Sequence, residues 1–156
     1  MSEADGRRGR DRLIFYSPGT TLRWKWKLDR LPSRSVESAV LARDYISIAV
    51  KFDNGQDLTY FWNSSLLVGA SFRCPFPTGA TRETHLVARS GSGDLGKWLA
   101  ESRDVFEDYR KAVGGEPPKR ITQIWLIGTS VMGRSEGLGE FGAIEIGFDK
   151  EVVSVY

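Results

Sequence analysis

The segment Thr21–Leu28, TLRWKWKL, decides the fold. Leu22, Trp24, Trp26 and Leu28 alternate with Arg23, Lys25 and Lys27, the period-two pattern of a half-buried strand. A helix, with its period of 3.6 residues, would scatter the two indoles around its axis. One face of the strand therefore offers two tryptophans to a core. The other presents three cations to solvent or to a ligand.

Outward from this strand, residues 44–52 read as a second one. Ile46, Ile48, Val50 and Phe52 line one face, and Tyr45, Ser47, Ala49 and Lys51 the other. Asn54-Gly55 is a hairpin signal because both residues tolerate positive φ, and Asp57–Asn63 is the return strand. A two-residue loop sets Ser47 opposite Trp62, Ala49 opposite Tyr60 and Lys51 opposite Leu58. Tyr60 and Trp62 then leave the aliphatic stripe for the opposite face. An odd loop length reverses the register and sends both rings to the core.

The remaining punctuation is regular. Leu13–Tyr16 is a short apolar run closed by Ser17-Pro18-Gly19, and Pro32 ends the tryptophan strand. Residues 33–42 read as a loop or one weak helical turn. Residues 66–81 read as irregular, stiffened by Cys74-Pro75-Phe76-Pro77. His85–Arg89 is a third strand, followed by a glycine-serine loop over 90–96. From Lys97 the chain is polar and helix-prone, with Asp104 and Glu107 as a capping box and Gly114-Gly115 and Pro117-Pro118 as the stop. Ile121–Gly128, apolar on both faces, reads as a central strand. A glycine-rich loop over 128–142 leads to a last strand, Ala143–Phe148, with Glu145 outward. Many strands, one short helix and glycine-rich connections predict an all-β sandwich. The expected layout is a polar tail over 1–12, one sandwich domain over 13–149 and a C-terminal extension over 150–156.

Composition narrows the function classes. Lys and Arg number 22 against 20 acids, a net charge of +2, too balanced for a dedicated nucleic-acid binder. The cluster Arg7, Arg8, Arg10 and Arg12 reads as part of a solvated tail. One cysteine, Cys74, excludes an internal disulfide, and one histidine, His85, excludes most zinc sites, so no metal or cofactor is expected. No apolar run approaches the ~20 residues of a membrane helix.

Several segments together resemble a bacterial family, the domain-of-unknown-function family three-zero-four-seven. They are LRWKWKLDRLP, YISIAVKFD, LTYFWNSSLLVGASF, HLVARSG with LGKW, SRDVFEDYRKAVGGEPP and GAIEIGF. The resemblance implies a jelly-roll sandwich of the galactose-binding type, a fold that often carries carbohydrate-binding modules. Members usually have a signal peptide and one or two further strands before the tryptophan strand. A periplasmic or secreted location is implied if such a signal is missing from this chain, a cytoplasmic one otherwise. An edge left uncovered by absent strands would favour a weak homo-oligomer. The family also tends to place an aspartate where this chain has Ala143.

Other motifs carry less. Two Gly-x-Gly-x-x-Gly matches, Gly91–Gly96 and Gly137–Gly142, read as loops, for neither shows the βαβ context and acidic partner of a dinucleotide site. Glu140 and Glu145 are of opposite parity and up to ~17 Å apart on extended chain. Glycosidase carboxylates need roughly 5–10 Å. Cys74 and His85 form a thiol–imidazole pair only if the fold brings them together, and Cys74 reads as a packed small hydrophobe. The expected function is a non-catalytic module binding a glycan or other polyhydroxyl ligand. Its site would comprise Arg23, Lys25, Ser47, Tyr60, Trp62 and Glu145, with the two rings as stacking platforms. The alternatives are a carbohydrate-active enzyme whose carboxylates cannot be paired from sequence, and a structural or assembly domain.

Overall fold

The computed structural model describes residues 14–32, 45–129, 136–148 and 150–156. The readings made for residues 1–12 and 33–42 lie outside them. Among the described residues, ten strands and one helix follow in chain order: β1 (Ile14–Phe15), β2 (Thr21–Arg30), β3 (Tyr45–Phe52), β4 (Asp57–Asn63), β5 (Ser71–Arg73), β6 (Glu83–Ser90), β7 (Leu99–Asp104), α1 (Val105–Ala112), β8 (Arg120–Thr129), β9 (Leu138–Phe148) and β10 (Glu151–Ser154). They form two sheets, one ordered β1-β8-β3-β4-β6-β5 and the other β10-β9-β2-β7. All pairings are antiparallel except β4 with β6. The chain is a β-sandwich with one short helix.

The alternation in β2 does what its period dictates. Leu22, Trp24, Trp26 and Leu28 are buried, while Arg23 and Lys25 are exposed. The two sheets meet through aromatic rings. Trp24 packs on Tyr60 and Trp26 on Trp62, each pair with centroids 5.5 Å apart. Ile46, Ile48, Val50 and Phe52 of β3 and Ile144 and Ile146 of β9 complete this core with Val105 and Tyr109 of α1. Asp104 caps the helix, its carboxylate accepting from the Glu107 N–H at 2.9 Å, and Gly114 and Gly115 follow with positive φ.

The β3–β4 hairpin corrects the two-residue reading. Ile46 pairs with Trp62, Ile48 with Tyr60 and Val50 with Leu58, which is the register of an odd loop. The Phe52 N–H donates to the Gln56 carbonyl at 2.9 Å, leaving Asp53, Asn54 and Gly55 as a three-residue turn with Gly55 at φ 80°. Asp53 is drawn into the turn because its backbone and side chain are both tied to the start of β8. Its N–H donates to the Arg120 carbonyl, and its carboxylate accepts from the Lys119 N–H. One added residue moves every side chain of β4 to the other face.

Four further elements differ from their sequence readings. β5 forms inside the stretch read as irregular, because it pairs with β6. Residues 99–104, read as helix-prone, are a strand held by β2, so tertiary pairing overrides polar composition. β8 is not buried on both faces: Trp125 and Leu126 are exposed, and β1 beside it pairs only at Arg120 and Ile121. β9 begins at Leu138 rather than at Ala143, since β2 is long enough to pair with it through Arg30. Within the expected C-terminal extension, Glu151–Ser154 pairs with β9 as β10.

Candidate functional site

The six residues expected to share a site occupy three places. Arg23, Lys25 and Glu145 lie on the outer face of the four-stranded sheet, Arg23 directly opposite Glu145 on β9. Tyr60 and Trp62 are fully buried between the sheets. The Tyr60 hydroxyl donates to Asp108 Oδ2 at 2.9 Å and the Trp62 indole to the Gly91 carbonyl at 2.9 Å. Ser47 is buried on the far side of the six-stranded sheet, where its hydroxyl donates to the Ile127 carbonyl. The three-residue turn is the cause. It removes the two rings from any platform they were expected to form with Ser47.

The outer face has an aromatic of its own, which sequence reading passed over. Trp98 immediately precedes β7 and is 53% exposed. On β9, Gly142 pairs with Lys25 and so faces outward. A Cβ on Gly142 would meet the Trp98 ring at 3.8 Å. The indole thus leans across β2 onto a glycine floor. Around it stand Lys25, the Lys27–Glu140 ion pair at 3.3 Å, and farther along the strands Arg23, Glu145 and Ser102. Trp98 lies just before the polar run of β7, where nothing in the hydrophobic period marked it.

A β-bulge makes this face. The β2–β9 register shifts between Arg23 and Lys25, and Ala143 takes φ 48°, a left-handed conformation unusual for alanine. The extra residue places Glu140 and Glu145 on the same side despite their opposite parity, contrary to the flat-strand expectation. They oppose Lys27 and Arg23, four residues apart along β2, or about 13 Å of strand. Their strand positions are thus farther apart than the roughly 5–10 Å that separates glycosidase carboxylates.

Two other places lie apart from this face. A groove of about 360 Å³ at one end of the sandwich is lined by Pro32, Ile46, Leu126, Gly128, Gly139 and Phe141, without an ionisable side chain among the described lining. At the β5–β6 edge, Cys74, Glu83 and His85 come together, with one donor atom of each within 4.8 Å of the others. The fold therefore does juxtapose the thiol and the imidazole. The Gly91–Gly96 loop leads into strand β7, so it has no helix N-terminus to hold a phosphate, and Gly137–Gly142 lies largely within β9.

The chain belongs to the family described as protein of unknown function (DUF3047), whose model matches residues 13–145. No curated protein and no solved structure matches it. Among the described residues, no helix is long and apolar enough to cross a membrane.

Proposed function

We propose that this domain is a non-catalytic ligand-binding module for a glycan or another polyhydroxyl compound, and that Trp98 is its platform. The reading rests on one observation: an indole half open to solvent lies over Gly142, ringed by cationic, anionic and hydroxyl side chains. A flat apolar ring suits the C–H face of a sugar, and Lys25, Lys27, Glu140 and Ser102 can bond its hydroxyls. The separation of Glu140 and Glu145 favours binding over hydrolysis. We also read the sandwich as a jelly roll of the galactose-binding type, in keeping with such a role.

An open face buries few groups, so affinity is weak, with Kd on the order of 0.1–1 mM. The test is a titration of neutral and acidic oligosaccharides into the wild type and Trp98→Ala, followed by heteronuclear NMR. Shifts at the Trp98 indole and along β2 and β9, lost in the variant and without cleavage products, are expected. Shifts indifferent to the substitution, or none at all, refute the platform, and a cleaved oligosaccharide refutes the non-catalytic reading.

A further inference from the structure

A second site, on the opposite sheet, follows from strand register alone. In β6, Glu83 and His85 are two residues apart and share a face. β5 runs antiparallel to β6 with Phe72 opposite His85 and Arg73 opposite Thr84. The next step places Cys74 across from Glu83, and the Cys74 N–H donates to the Glu83 carbonyl at 2.9 Å. On the other flank of β6, Asp57 of β4 is the parallel partner of Glu83. A thiol and two carboxylates thus stand in one row across three strands, with the imidazole in the next row.

We propose that Cys74, Glu83 and His85 bind a divalent transition-metal ion, zinc above all. Sulfur, nitrogen and carboxylate oxygen together suit a borderline-soft ion and do not suit magnesium or calcium. Thiolate and carboxylate supply two negative charges to match its two positive ones. A tetrahedral zinc site has donors about 3.3–3.8 Å apart. The three donor atoms here all lie within 4.8 Å of one another, so a small closure completes the site.

Four observations besides the trio bear on a bound cation. Asp57 is 7% exposed, yet its Oδ1 is buried without a hydrogen-bond partner beside a second carboxylate. Lys51 and Arg82 lie within electrostatic reach of Asp57, yet this oxygen keeps no hydrogen-bond partner, a cost that a cation beside Glu83 would offset. The tight turn before β6 brings Gly79 up against the cluster, where only glycine fits: a Cβ there would stand 2.6 Å from Cys74 Sγ and 2.8 Å from Glu83 Oε2. The imidazole is also held in orientation, stacked on Phe72 at 5.5 Å and edge-on to Phe61 at 5.8 Å. The Glu83 side chain, 37% exposed, gives the ion a way in.

The arrangement argues against a cysteine nucleophile. In a thiol–imidazole–carboxylate triad the imidazole stands between the other two. Here the carboxylate takes the middle position, with side-chain hydrogen bonds to both His85 and Cys74. That order presents three donors to one point.

The chain has one cysteine and one histidine, which makes the test unambiguous. Tag-free full-length protein, stripped with chelator, is titrated with Co²⁺ and then with Zn²⁺. A thiolate-to-cobalt charge-transfer band saturating near one equivalent, and bleached by Zn²⁺, is expected. Cys74→Ser should abolish the band. Glu83→Gln, conservative in shape and partly exposed, should keep the fold and lower affinity by about tenfold or more. Gly79→Ala should weaken binding with every ligand intact. Absence of the band in folded wild type under excess cobalt, or affinity unchanged in Glu83→Gln, overturns the proposal. This site is independent of the glycan face, so Trp98→Ala should leave cobalt binding unaltered.

Discussion

The indole nitrogen of Trp26 donates to Glu101 Oε1 at 3.0 Å across the β2–β7 edge. The same oxygen accepts from Arg89 Nε at 2.6 Å, and the Arg89 guanidinium lies 5.9 Å from the Trp62 ring. A parallel arrangement stands beside it. Asp108 accepts from the Tyr60 hydroxyl and from two nitrogens of Arg103, whose guanidinium covers the Tyr60 ring. Each carboxylate satisfies a buried aromatic donor of the core and a cation that closes the gap between the sheets. The polar strand β7 is thereby fastened to an aromatic core.

Glu101→Ala should cost about 2–4 kcal/mol, because it strands the indole N–H and leaves Arg89 half-buried without its closest anion. Glu101→Gln keeps an acceptor for Trp26 and should cost less than half as much. Denaturant melts of the two variants check this, and equal losses would show that the charge, not the acceptor, matters.

Much of the fold was legible because Trp24, Trp26 and the β3 stripe alternate without exception. The site was less so, for a local reason. Whether Tyr60 and Trp62 faced in or out hung on a single residue in the Asp53–Gly55 turn, and that residue is fixed by contacts to Lys119 and Arg120, far away in sequence. The trio at Cys74 was illegible for a similar reason, since β5 has only three residues and exists through its pairing with β6. The Ala143 bulge left no trace in the period, yet it decides the facing of Glu140 and Gly142.

Ala143 offers the next prediction. Its φ of 48° costs alanine about 1 kcal/mol or more, and its side chain is exposed. Ala143→Asn, a residue better suited to this conformation, should raise stability by about 0.5–1 kcal/mol. Thermal melts measure it. A destabilised Asn variant would show that the bulge is not left-handed in solution.

Alkali should loosen the core. Burial raises the phenol pKa of both Tyr16 and Tyr60 above the ordinary range, and the charge of Asp108 adds to the effect at Tyr60. The unfolded chain ionises these groups near pH 10 while the folded one holds their protons. Their contribution is therefore complete below about pH 10 and is lost as pH rises further. The melting temperature should fall as pH rises above about 10, and that of Tyr60→Phe should fall less steeply. A variant tracking the wild type across that window would place the sensitivity elsewhere.

The two faces of β2 give the sharpest contrast. Trp24 is 1% exposed and touches Trp26 and Tyr60, whereas Trp98 on the opposite face is 53% exposed. Removing the first leaves a cavity at the centre of the sandwich, so Trp24→Ala should cost about 3–5 kcal/mol. Removing the second uncovers only Gly142 and its neighbours, and Trp98→Ala should stay within about 1 kcal/mol. Arg23→Ala, also outward, should stay within about 0.5 kcal/mol. Urea melts of the three variants, run beside the oligosaccharide titrations, separate stability from binding. Trp98→Ala should lose binding and keep its fold. A loss of several kcal/mol on removing Trp98 would make it a packing residue, and the case for an open binding face would fall with it.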